Sequence, residues 1–116
     1  MSTTSELLSK TCRHQEQALD DATVNQLLAA VDGWALENGK VSKTFRFKNY
    51  YETLAFVNAI AYVIHAEDHH PDLAVGYNRC TVAFNTHSVN GGKGGISEND
   101  FICAAKVDAV FARSFR

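Results

Sequence analysis

The pair Asn38-Gly39, inside WALENGKVSKTFRFKN, restricts the fold more than any other feature of the sequence. A two-residue hairpin of type I′ needs positive φ at both central positions, and Asn-Gly supplies both at low steric cost. The residues after it alternate. Val41, Phe45 and Phe47 fall on one side, and Ser42, Thr44, Arg46 and Lys48 on the other. That is the period-two pattern of a strand with one buried face. Trp34 and Leu36 share a face of the strand before the turn.

Helical patterns flank this hairpin. Val24, Leu27, Leu28 and Val31 form one apolar stripe, with Asp20 and Asp21 placed to cap its start and Gly33 to end it. Residues 50–68, YYETLAFVNAIAYVIHAED, read as the main helix and are apolar on two faces. Leu54, Val57, Ala61 and Ile64 make one, and Phe56, Ile60 and Val63 the other. One small sheet covers only one of these, so the second is expected to meet another subunit. Pro71 is expected to stop this helix, because the residue before a proline is pushed out of the α region.

LAVGY and CTVAF then read as two short strands around Asn78-Arg79, and NGGKGG as a flexible loop. SEND opens a last helix, with Ser97 as its cap and Asp100 in the capping-box position. The order helix, strand, strand, helix, strand, strand, helix predicts an α+β fold. Its four-stranded antiparallel sheet carries the helices on one face. The expected division is a polar N-terminal arm over residues 1–20 and a single domain over 21–116.

The bulk properties exclude several functions. With 116 residues, 46% hydrophobic and 21% charged, the chain has enough apolar material for one modest core. A net charge of −2 gives no basic field for nucleic acid or an anionic membrane. No apolar run reaches membrane-spanning length, and MSTTSELLSKTCRHQEQ lacks a leader pattern, so a cytoplasmic location is expected. Cys12, Cys80 and Cys103 are far apart and form no CxxC pair. They read as reduced thiols, with Cys80 and Cys103 in the core.

Three of the five histidines lie in HAEDHHP, residues 65–71, and His87 lies just downstream. His69 and His70 sit where a helix exposes unpaired carbonyls, and Glu67 and Asp68 beside them also favour charged imidazoles. The ordinary histidine pKa, roughly 6.5, suits groups that give and take protons near neutrality. A short turn after Pro71 would bring His87, at the end of the fourth strand, into one pocket with His69 and His70. Asp100 is placed to reach the same region. Two other readings stay open: a solvated surface cluster, and a metal site using His65, His69 and His87. The zincin pattern requires Glu where Ala66 stands. His14, in the arm, reads as solvated.

His65-x3-His69-His70-Pro71, Tyr77, His87 and Asp100 together resemble the signature of the pterin-4a-carbinolamine dehydratases. Gly33-Trp34, Phe45-Arg46-Phe47 and Ser97-Glu98-Asn99-Asp100-Phe101 are similar to that family too, and the likeness spans about residues 24–112. The resemblance implies an α+β homodimer or homotetramer without metal or other cofactor. It implies dehydration of a 4a-hydroxytetrahydropterin to a quinonoid dihydropterin, in the service of an aromatic amino acid hydroxylase. It makes His69 and His87 the acid and base, with His70 as the third catalytic histidine, positioning the pterin. Asp68, Asn85, Thr86, Ser88 and Asp100 become substrate-binding residues. His65 departs from a position often acidic in that family, and NGGKGG is a longer loop. The competing function is a non-catalytic dimerisation or transcriptional coactivator module; a metal-dependent hydrolase is a third.

Overall fold

The computed structural model describes residues 3–115. Four strands form one antiparallel sheet in the order β1-β2-β4-β3: β1 is Ala35–Glu37, β2 Lys40–Arg46, β3 Asp72–Val75 and β4 Arg79–Phe84. The helices are α1 (Thr4–Ser9), α2 (Asp21–Leu28), α3 (Tyr50–Glu67) and α4 (Glu98–Ser114). This is the expected α+β order with one more helix in front. Among the described residues, no helix is long and apolar enough to cross a membrane.

The Asn38-Gly39 turn forms as its chemistry requires, with φ of 51° and 75°. It sets the register Glu37↔Lys40, which β4 extends through Val41↔Phe84 and Phe45↔Cys80. One face of the sheet therefore presents Val41, Phe45, Cys80, Val82 and Phe84, all buried under the helices. On the other face Thr44 and Thr81 exchange a hydroxyl hydrogen bond of 2.8 Å, and Arg46 faces Arg79. Trp34 lies just before β1 and is buried, whereas Leu36 in the short edge strand is 49% exposed. The face expected to be shared by the two is therefore not equally buried.

An aromatic cluster joins the two layers. Phe45 from β2 lies 4.8 Å from Phe56 of α3 and 5.0 Å from Phe111 of α4, ring centre to ring centre. Burying each such ring contributes about 1.5–3 kcal/mol. Trp34 Nε1 and Lys43 Nζ both donate to Asp108 on α4, each at 2.9 Å. These bonds tie the start of the hairpin to the helix above it.

Three expectations need correction. Residues 1–20 do not stand apart from the domain. Thr3 and Glu6 form a capping box for α1, and Leu7 is fully buried in the core. NGGKGG is held at several points: Asn90–Gly92 forms a 3-10 turn, Asn90 N–H donates to the Glu16 carbonyl (2.8 Å), and Thr86 pairs with Gly95. Its glycines make room for the arm, since a Cβ on Gly95 would lie 2.8 Å from that of Ala18. Finally, α3 ends before Pro71 can act. Asp68 takes the left-handed conformation (φ 51°, ψ 44°), its N–H donates to the His65 carbonyl and His69 N–H to that of Ile64. This is a Schellman closure with Asp where glycine is usual.

Candidate active site

The closure at Asp68 throws His69 off the helix towards the start of α4. There His69 Nε2 meets Asp100 Oδ1 at 2.6 Å. Asp100 is fully buried, and its other oxygen accepts the Ser97 N–H (2.9 Å) and the Thr86 hydroxyl (3.0 Å). Thr86 has one hydroxyl proton and gives it to Asp100, so in the 2.6 Å contact between Thr86 and Ser97 the serine must donate. Ser97 Oγ in turn accepts the Asn99 N–H at 3.2 Å. The carboxylate is thus satisfied by the exits of β4 and α3 and by the first turn of α4, where the helix dipole also favours a negative charge.

A carboxylate accepts only, so Nε2 carries the proton in the His69–Asp100 bond, leaving Nδ1 as the ring's free nitrogen. The ring is further held against Phe84, stacked at 5.8 Å and 10° between planes. His70 and His87 form a second pair, their rings 5.8 Å apart and inclined by 24°. Asp72 lies beside this pair. Its carboxyl is held below its ordinary range first by the hydrogen bond and charge of Lys40, and further by His70 and His87.

The three histidines His69, His70 and His87 open into one cleft of about 440 Å³. Of the residues singled out from sequence, Asp68, His69, His70, Thr86, His87 and Ser88 line it. Asn85 is half-buried beyond the wall. Asp100 does not reach the cleft, since it is fully buried and meets the space only through its hydrogen-bond partners His69 and Thr86. His65 is exposed and stays outside, because the turn at Asp68 breaks the helical spacing that would have aligned it with His69. Among the described residues no three His, Cys, Asp or Glu side chains converge to hold a metal ion.

The cleft also has a wall that sequence reasoning missed. Cys12, Arg13, His14 and Gln15 of the arm line it, with Glu67 and Asn99. His14 is exposed as expected, but at the cleft. The one available signal was the Thr3-x-x-Glu6 capping box, which marks an ordered start to the arm.

With the fold and the site in view, the class is an α+β domain whose cleft is walled by histidines, one of them locked to a buried carboxylate. The model of the family described as Pterin 4 alpha carbinolamine dehydratase matches residues 17–110, and the chain belongs to that family. A Bdellovibrio bacteriovorus protein bearing the family's name is 57% identical over 115 residues, covering 99% of this chain and 96% of that protein. One from Nitrosospira multiformis is 49% identical over 112 residues, covering 94% and 96%. The crystal structure of a transcriptional coactivator/pterin dehydratase from Brucella melitensis matches with a TM-score of 0.73 and 31% identity. It covers 81% of this chain and 98% of that one.

Glu67 ties the arm to the site. Burial opposes its ionisation, but Lys106 Nζ (2.7 Å) and the Cys12 N–H (2.7 Å) outweigh burial and hold its carboxyl below the ordinary range. A folded value below the unfolded one means that the stabilisation is full above the ordinary value of 4.5 and is lost as pH falls through the folded value. Glu67→Gln is therefore expected to be less stable than wild type at about pH 7 in urea unfolding, by roughly 1–3 kcal/mol. The gap should close as pH drops below the glutamate range; a gap that persists in acid would show that ionisation is not its source.

Proposed function

We propose that the chain dehydrates pterin-4a-carbinolamines by histidine acid–base catalysis. It would thereby regenerate the pterin cofactor of aromatic amino acid hydroxylases, in the cytoplasm and without a metal ion or other cofactor. One observation carries the reading: a histidine with its tautomer fixed by a buried carboxylate faces the same cleft as a second, closely spaced histidine pair. Family membership supplies the substrate class, and the names of the Bdellovibrio and Nitrosospira proteins agree with it.

The reaction needs one proton delivered and one removed. The 4a-hydroxyl is protonated, the C4a–O bond breaks and water leaves. The N5 proton is taken, and its electron pair forms the C4a–N5 double bond. Neutral His69 can accept a proton on Nδ1 while Asp100 balances the charge it gains; protonated His69 can return one. His87 takes the complementary role across the cleft, with the two exchanging roles between substrate epimers. His70, against His87, positions the ring, and Asp68, Thr86 and Ser88 bound it.

Exposed apolar side chains support self-association as a homodimer or homotetramer. Tyr51 (82% exposed), Leu54 and Tyr62 (75%) line the outer side of α3, and Leu73 and Val75 lie on the open edge strand β3. Light scattering is expected to give a multiple of the 12.8 kDa chain mass, and a monomer mass would contradict it.

The test of function is the ultraviolet-monitored dehydration of an enzymatically generated 4a-hydroxytetrahydropterin. Wild type should accelerate it, with or without chelator, and His69→Ala and His87→Ala should each lose about 10²–10⁴-fold in kcat/KM. Folded wild type that leaves the spontaneous rate unchanged would refute the dehydratase reading. Full activity in both variants would refute the histidine mechanism.

A further inference from the structure

The arm is fastened to the site, not merely to the core. Arg13 N–H donates to Asn99 Oδ1 (3.2 Å), and Asn99 Nδ2 donates back to the Arg13 carbonyl (2.6 Å). Cys12 N–H donates to Glu67 (2.7 Å), and the Ser88 hydroxyl to the Gln15 carbonyl (3.3 Å). Asn99 precedes Asp100 in the chain, Glu67 lies two residues before His69, and Ser88 follows His87. Each attachment is thus made by a near neighbour of one of the catalytic groups or of the carboxylate behind them, so arm and histidines keep one register.

The Arg13 side chain has no internal task. Its backbone is clamped on both sides, while its guanidinium makes no hydrogen bond or ion pair to another described residue. Arg13 also borders a hollow on the far side of the arm, where Glu98 is engaged by Lys10 at 2.6 Å. On the cleft side, Glu67 is engaged by Lys106, and Asp68 is an exposed carboxylate that makes no ion pair with Arg13. The cleft therefore offers an acceptor-only group and a donor-only group, neither satisfied by the other. A pterin carries both donors and acceptors on its polar edge, and substituted pterins add hydroxyl oxygens.

We propose that Arg13 is a substrate-binding residue whose guanidinium donates to an acceptor oxygen of the bound pterin, and that Asn99 is the residue that positions it. This rests on the dehydratase reading above and adds to it a wall that lies before the 17–110 span of the family model. The oxygen belongs either to the ring carbonyl or to the substituent on C6.

The test compares steady-state kinetics on carbinolamines with a methyl or a dihydroxypropyl group at C6. Arg13→Ala is expected to raise KM roughly tenfold or more while kcat falls far less. Arg13→Lys should recover only part, because the planar fork is lost. Asn99→Ala should raise KM although Arg13 is intact, whereas Lys10→Gln, which frees only the far side of the arm, should not. A rise confined to the dihydroxypropyl substrate assigns the contact to the substituent; a rise on both assigns it to the ring carbonyl. An unchanged KM in Arg13→Ala on both substrates overturns the proposal. A loss of thermal stability in Asn99→Ala with KM unchanged overturns the positioning role. Calorimetric binding of a 7,8-dihydropterin repeats the comparison without turnover: Arg13→Ala should bind about tenfold more weakly, and equal affinity overturns the proposal. Absence of dehydration by wild type would count against the dehydratase reading alone.

Discussion

A carboxylate with no access to water sits where three elements of this fold meet. Burying Asp100 costs several kcal/mol unless its oxygens are bonded, and the partners that bond it come from the end of β4, the turn after α3 and the start of α4. The sheet register, the closure of α3 at Asp68 and the cap of α4 must all be in place for that charge to be tolerated. In return, the charge fixes the tautomer and position of His69. On the proposed mechanism, stability and function converge on one group: the interaction that orders the junction also prepares the histidine.

The N-terminal arm follows from the same junction. It runs beside the carboxylate's neighbours Glu67 and Asn99, and the glycine-rich loop leaves it room to pass. Cys12 reaches Cys103 at 3.5 Å beneath this contact. The hydrogen bond that the Cys103 S–H donates to Cys12 and burial both push the Cys103 thiol up, which keeps it protonated and unreactive near neutral pH. The arm is in this way packed as part of the domain, and its residues 12–15 wall the cleft.

Most of the architecture was legible because it rests on local chemistry. Asn38-Gly39 requires its turn, the alternation through Phe45 requires its face, and Ser97 with Asp100 forms the cap the sequence announces. The end of α3 was harder to read, because an aspartate stands at the left-handed position where glycine is the usual mark and Pro71 drew attention instead. The cluster His69, His70 and His87 was visible as composition. That Asp100 stands behind His69 and out of reach of the cleft was not, because burial depends on how α4 packs. The arm carried no periodic stripe: its docking uses backbone groups of Cys12 and Arg13, which leave no trace in residue type. Leu7, a single buried leucine on a six-residue helix, is too short a signal to distinguish from solvent-facing chain.

The most direct measurement is the dehydration rate of Asp100→Asn, with circular dichroism to establish that it folds. Asparagine preserves the shape of the side chain but removes its charge, so it can neither balance an imidazolium nor require Nε2–H of His69. A fall of about 100-fold or more in kcat with KM little changed is the predicted result, because Asp100 touches no substrate and acts through His69. A folded Asp100→Asn variant with the wild-type rate would contradict the account, since the buried carboxylate would then serve the fold alone.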